Sequence, residues 1–592
     1  MSFEPEVIPT VPQNEGKSGL RQLTMIGLFA IMFLVGFVII ILFADPFDWN
    51  LLQRLNGNYD ASAAVMPPDT MVYVGVNLLE ANVTRMTEIR DAFVAASAGT
   101  EADLNEPIEE LDAVLRDELG LNFAEDVQPW LGQFMGIGLL DFTLPSVETA
   151  AEPTLNWVAA VEARDTAAAD AFLAKLVEQM EMEMGETAVT ETYQNISFAT
   201  FVADDPLSEL TLGRAGSMVL MGSGMDAVQQ AVDAQNGDSL ADVITYQETL
   251  AELPTDRLMT VYVDGRQTQK LTEEAMREAS PDPASLAAFQ QLYNSNGMGG
   301  VAMGLSVTEE GIQMDSVSTF DTAQLSELQQ LSLGAWVEEP QTAAIASPDT
   351  LVYFAGRGLN VMWATMRDVM MLQMSQDEFD ESMQIFAEQF GLNPDTDLFP
   401  YLDGELAFMV APSSGSAMAE ALDIHLSVTL LAGTSQEAEL AAHVETLSAA
   451  LGNPELGLGV VEKSEVNGLT LYELFSPMEE AVFVYGIGHN YLVLGSEREG
   501  LAGLSFAGDG VSLQDSRDFQ LVQAAFANEQ MPVVYVNVQG LLAEIESGFA
   551  AEDAEAFVEV TAVFQPIRYF AATSVVKDDM IHATAILFIE TD

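Results

Sequence analysis

The stretch MPPDTMVYVGVN, Met66 to Asn77, returns nearly copied as ASPDTLVYFAGRGLN, Ala346 to Asn360, with Pro68-Asp69-Thr70 becoming Pro348-Asp349-Thr350 and Val72-Tyr73 becoming Val352-Tyr353. Four further landmarks follow in the same order. LGLNFAEDVQPWLG (Leu119 to Gly132) matches FGLNPDTDLFPYLD (Phe390 to Asp403), and SMVLMGS (Ser217 to Ser223) matches NYLVLGS (Asn490 to Ser496). TVYVD (Thr260 to Asp264) matches VVYVN (Val533 to Asn537), and VTEEGIQMDSVSTF (Val307 to Phe320) matches VKDDMIHATAILFI (Val576 to Ile589). The shift runs from 280 at the first landmark (348 less 68) to 269 at the last (589 less 320). Solenoid repeats recur every 20 to 50 residues or so, so this period indicates a domain duplication, and any fold must serve both copies.

Within one copy the apolar pattern changes type. MVYVGVN is a short β-branched run bounded by Pro-Asp, the mark of a buried strand. Ile108, Leu111, Val114, Leu115 and Leu119 follow helical spacing, closed by Gly120. NWVAAVEARDTAAADAFLAKLVEQM reads as a strand, a cap at Asp165 or Thr166, and a helix. The turn at Glu309-Glu310-Gly311 marks an antiparallel hairpin. The expected class is α+β: a transmembrane helix, then two homologous units, 64–320 and 344–592, each a mostly antiparallel sheet covered by helices, joined by a linker at 321–343.

Met25 to Ala44, MIGLFAIMFLVGFVIIILFA, is 20 residues without a charge. At about 1.5 Å per residue it would span the roughly 30 Å of a bilayer's hydrocarbon core. No small-x-small cleavage pattern follows, so a retained membrane anchor is expected rather than a signal peptide. Lys17 and Arg21 precede it while Asp45 and Asp48 follow, which places a disordered tail (1–24) in the cytoplasm and the linker (45–63) and both units outside. Phe47 and Trp49 suit the outer interface.

Of 592 residues 49% are apolar, ample for more than one core. Acidic residues number 91 against 20 basic ones, a formal charge of −71. A phosphate backbone would be repelled by almost any face, so nucleic acid is excluded as a partner. Cysteine is absent, which removes disulfides, thiolate metal sites and cysteine nucleophiles. The membrane is the expected partner, through Met25 to Ala44, together with a protein, peptide or lipid ligand.

The anchor, the PPDT-VYVGVN opening, the GLN…D…P-W/Y-L element (Gly120 to Leu131, Gly391 to Leu402) and the VYV strands together resemble the bacterial domain-of-unknown-function family 3352, found in membrane-anchored proteins of photosynthetic and filamentous bacteria. The resemblance covers the whole region after the anchor. It carries no catalytic residues to transfer.

The residues themselves assign no catalytic, cofactor or metal site. His425, His443, His489 and His582 form no H-x-x-x-H pair that would set two imidazoles on one helical face. Asn393, Asp395 and Asp397 stand at positions 1, 3 and 5 of a calcium-type loop, but Leu398 occupies the glycine position and Glu405 comes one residue late, so a capped turn is expected. Ser223 and Ser496, after matching glycines at strand ends, are expected to be helix N-caps. Met362, Met366, Met370 and Met374 recur every fourth residue and would stripe one helix, either as core or as a groove for an apolar peptide or lipid.

The expected function is a membrane-anchored extracytoplasmic module for binding or assembly; the alternative is an extracytoplasmic hydrolase with a carboxylate site. Self-repulsion at −71 also generates a test. The fragment from Asn56 onward is expected to melt at a clearly higher temperature in about 1 M than in about 0.05 M sodium chloride, because the Debye length shrinks severalfold over that range. An unchanged or lower melting temperature would mean that local pairing already offsets the repulsion.

Overall fold

The computed structural model describes residues 60–591 except 98–115, 117–119, 144–153, 186, 203–208, 269–296, 335–338, 372–373, 414–424, 477–480, 507, 509, 549–556 and 558–560. The first half runs β1 (Val72–Asn77), α1 (Glu80–Ser97), β2 (Leu131–Thr143), β3 (Thr154–Ala163), α2 (Thr166–Met184), β4 (Val189–Tyr193), β5 (Ile196–Phe201), β6 (Leu210–Ala215), β7 (Met218–Gly222), α3 (Met225–Asn236), α4 (Ile244–Ala251), β8 (Met259–Asp264), β9 (Met298–Val307) and β10 (Gly311–Phe320). After α5 (Glu327–Leu333) come β11 (Val352–Arg357), α6 (Leu359–Met370), α7 (Gln376–Phe390), β12 (Glu405–Pro412), β13 (Leu426–Gly433), α8 (Glu437–Leu451), β14 (Val460–Val466), β15 (Leu469–Phe475), β16 (Ala481–Gly488) and β17 (Tyr491–Gly495). The chain closes with α9 (Arg498–Ala502), α10 (Arg517–Ala525), β18 (Val534–Asn537), α11 (Val538–Gly548), β19 (Ile567–Lys577) and β20 (Met580–Ile589). The helix expected over Ile108 to Leu119 lies outside the described residues but for Arg116.

Two compact bodies are present, one of 61–70 and 107–240 and one of 71–106 and 241–592. The first is an antiparallel sheet in the order β2-β3-β7-β6-β5-β4. Asp165 starts α2 by accepting from the amides of Ala167 and Ala168, and left-handed Gly185 ends it. Trp130 buries its indole 5.0 Å from Phe172 of that helix. Burying a large apolar side chain of this kind contributes about 1.5–3 kcal/mol.

In the second body fourteen strands run in the order β1-β8-β9-β10-β20-β19-β18-β11-β12-β13-β17-β16-β15-β14, each pair antiparallel. Tyr73 opposes Tyr262 across β1 and β8, and Tyr353 opposes Tyr535 across β11 and β18. A third ring wedges edge-on between each pair. Tyr246 lies 6.1 Å from Tyr73 and 5.1 Å from Tyr262, while Phe519 lies 6.3 Å from Tyr353 and 5.3 Å from Tyr535. Such edge contacts add about 0.5–1.5 kcal/mol each beyond area burial.

The expectation of a transmembrane helix followed by two homologous units, each with its own sheet, is corrected in its sheets. The described residues form twenty strands of mostly antiparallel sheet, and strands of both halves share a sheet where β10 pairs with β20 from Gly311↔Phe588 to Thr319↔Met580. The physical reason is edge satisfaction. Each half ends in a hairpin whose outer strand would expose a row of unpaired amides and carbonyls, and the two rows satisfy one another. Asp315 faces Thr584, 269 residues on, the same shift that aligns the hairpins, so the seam has local two-fold character. Its ends repeat accordingly: the Phe320 amide donates to Asp579 O at 2.9 Å, and the Ile589 amide donates to Glu310 O at 2.9 Å. Among the described residues no helix is long and apolar enough to cross a membrane, and Met25 to Ala44 lies outside them.

Gly311 offers a test of the seam. It holds φ +139°, and a Cβ there would sit 2.2 Å from the carbonyl oxygen of Leu587 on β20. Gly311→Ala is expected to destabilise the seam by about 2–3 kcal/mol, read as amide exchange across β20 faster by more than about tenfold. Unchanged exchange would show that the strands do not depend on this register.

Candidate functional site

The residues singled out in the sequence are mostly engaged in building turns. Asn393 caps a wide helical turn: its Oδ1 accepts from the Asp395 amide at 2.9 Å, and its own amide donates to Asp397 Oδ2 at 2.8 Å. The first half repeats this turn, with Asn122 Oδ1 accepting from the Glu125 amide at 3.1 Å and the Asn122 amide donating to Asp126 Oδ2 at 2.8 Å. Asp395 turns away to accept from Trp363 Nε1 at 2.7 Å. Glu405 accepts from the amides of Gln341 and Thr342 at 2.9 Å each. The calcium-type carboxylates therefore do not converge.

The histidines scatter. His425 is exposed before β13, His443 rests 5.2 Å from Tyr401, His489 stacks on Phe506, and His582 sits in β20. Among the described residues no group of three His, Asp or Glu side chains could hold a metal ion. Helix α6 ends at Met370, so Met374 lies beyond it. Met362 and Met366 are 55% and 49% exposed, whereas Trp363 anchors the helix by stacking 4.1 Å from Phe399.

Ser223 and Ser496 are corrected from caps to strand clamps. Ser223 Oγ accepts from the Trp157 amide at 3.0 Å and Ser496 Oγ from the Val428 amide at 3.0 Å, each tying a strand end to its neighbour. The cap positions fall one residue later, on Gly224 and Glu497. The repeated Thr is likewise structural: Thr70 Oγ1 donates to Pro67 O and Thr350 Oγ1 to Ser347 O, both at 2.7 Å.

The most chemically distinctive concavity is one that sequence reading missed. A cleft of about 170 Å³ opens where the Pro348-Asp349-Thr350 loop, β12, β13 and α9 meet. Asp349, Glu497 and Glu499 line it with the hydroxyl-bearing Ser427 and Thr429 and the apolar Met409 and Leu504. Glu497 is only 9% exposed, and Ser413 Oγ donates to its Oε2 at 2.8 Å. The available signal was the mismatch between halves, since Gly224 stands where the second half carries Glu497.

A second concavity of about 460 Å³ lies near the start of the second half, lined by Gln341, Gln514, Gln523, Asn528 and Gln530 among others. Gln523 Nε2 donates to Glu529 O at 2.9 Å, bracing the left-handed pair Asn528 and Glu529 at φ 56° and 54°. Burial pushes the Tyr353 phenol well up, and burial together with the Glu405 charge pushes Tyr491 up to about 12.

A family model described as a protein of unknown function, DUF3352, matches residues 24–589. No curated protein matches the chain. Among solved structures, TP0453 in its crystal form I is similar at a TM-score of 0.22 and 7% identity, covering 47% of this chain and 87% of that one. Its crystal form III gives 0.22 and 6%, covering 47% and 89%.

The paired Asn turns supply a prediction. Asn122→Ala and Asn393→Ala are each expected to cost about 1 kcal/mol, the usual loss of an N-cap, measured by chemical denaturation. The gap between Asn393→Ala and the parent should be the same with and without millimolar calcium; a gap that widens with calcium would mean the loop does bind it.

Proposed function

The chain belongs to the DUF3352 family, and we propose that it is a binding or assembly module of the bacterial envelope, duplicated within one chain and held at the cell membrane through Met25 to Ala44 with both halves outside. The observation that carries this reading is the β10–β20 seam. The second body's sheet takes strands from both halves, a support on which loops can be displayed, and the landmarks of that body, the Asn393 and Thr350 turns, the Ser496 clamp and the ring triads, all serve to hold backbone in place. The sequence places Lys17 and Arg21 before the apolar segment and Asp45 and Asp48 after it, which supports the orientation.

Two measurements test the proposal. A reporter fused after Asp592 is expected to be active only outside the cytoplasm, and a C-terminus protected from externally added protease would reverse the orientation. Immobilised full-length chain is expected to retain an envelope component at fixed stoichiometry from solubilised membranes, without turning over ester, glycoside or phosphoester model substrates. Turnover abolished by replacing a single carboxylate would overturn binding in favour of hydrolysis.

A further inference from the structure

Glu497 is a carboxylate that the fold has mostly buried, only 9% exposed, with a single side-chain hydrogen bond among the described residues. Burying a carboxylate is costly unless it is paired and hydrogen-bonded. Its one side-chain bond comes from the neutral hydroxyl of Ser413. The adjacent cation, Arg498, is turned to Glu473 Oε1 at 2.9 Å instead. No ion pair among the described residues reaches Glu497, and its Oε1 accepts no hydrogen bond from them.

The cleft around it is asymmetric in chemistry. Met409 and Leu504, both nearly fully buried, supply apolar wall, Ser427 and Thr429 supply hydroxyls, and Asp349 and Glu499 stand exposed. A metal ion wants several convergent ligands, and no such group is assembled among the described residues. A primary ammonium fits better: it carries three N–H donors on an alkyl stem, so one carboxylate and flanking hydroxyls can satisfy the head while the stem lies on apolar wall. We propose that this cleft binds a primary alkylammonium group, with Glu497 as its charged acceptor and Met409 and Leu504 against its stem. The inference rests on the reading of the chain as a binding module and names the ligand chemistry of one site. That chemistry is shared by free diamines and by lysine side chains of a partner.

The test uses the purified full-length chain, titrated calorimetrically with 1,5-diaminopentane and, separately, with N-acetyl-lysine amide. Sodium chloride at about 0.15 M screens the diffuse attraction of the acidic surface. A saturable 1:1 site is expected for at least one probe; the diamine alone would identify a free amine, and the lysine amide a partner's side chain. Glu497→Gln is expected to weaken it about tenfold or more, the effect of removing the charged member of a buried pair. Asp380→Asn, the same charge change on exposed α7, should leave it unaltered. Should Glu497→Gln fail to fold, Ser413→Ala, which releases the carboxylate from its one donor, is expected to change the affinity where Asp380→Asn does not. Absence of a saturable site, equal effects of the cleft and α7 variants, or displacement by magnesium at constant ionic strength overturns the proposal. Loss of both probes with retained capture of an envelope component would leave the binding module standing and remove only this ligand.

Discussion

The seam between β10 and β20 is the interaction on which the second body depends. An isolated sheet of either half would end in a long edge strand, and a long unprotected edge recruits other chains. Here each edge is blunted by its counterpart. At its centre Asp315 accepts from Thr584 Oγ1 at 2.7 Å and from Gln313 Nε2 at 2.8 Å, so a carboxylate only 9% exposed is held by two donors. The local two-fold has that buried acid on one side and a hydroxyl on the other, which makes the pairing complementary rather than a repulsive pair of identical charges.

The ring triads show how duplicated positions drift within a conserved geometry. Tyr246 and Phe519 occupy the same wedge, and only one carries a hydroxyl; the Tyr246 OH has no hydrogen-bond partner among the described residues. The flanking tyrosines use theirs, Tyr73 donating to Asp60 Oδ2 at 2.5 Å and Tyr353 sharing a hydrogen bond with Thr342 Oγ1 at 2.8 Å. Packing conserves the ring, and the polar tip varies with its neighbours.

Charge contributes less to the fold than its magnitude suggests. The described ion pairs are mostly at the surface, such as Arg214 with Asp170 at 2.6 Å, where the mutual hydrogen bond holds the carboxyl below its usual range and the guanidinium above. Pairs of this exposed kind add about 0–1 kcal/mol each. Arg257 is different: nearly fully buried, its Nε donates to Thr260 Oγ1 at 2.7 Å, and desolvation pulls its pKa down.

The repeat pattern by itself determined which residues correspond between halves, because the same local physics of strand, cap and turn must be satisfied twice: Tyr73 and Tyr353 open equivalent strands, Asp165 caps its helix, and Asn122 and Asn393 close the same turn. The neighbours of each strand were decided only by tertiary structure. The alternation in β10 says which face is buried, and nothing in it says what lies beyond the edge, since backbone amides and carbonyls are the same at every residue. The serine clamps escaped for a related reason: a hydroxyl before a helix reads as a cap locally, while its partners at Trp157 and Val428 lie 66 and 68 residues away. Glu497 was hidden among 91 acidic residues, because burial and the missing partner that set it apart exist only once β12, β13 and α9 have closed around it.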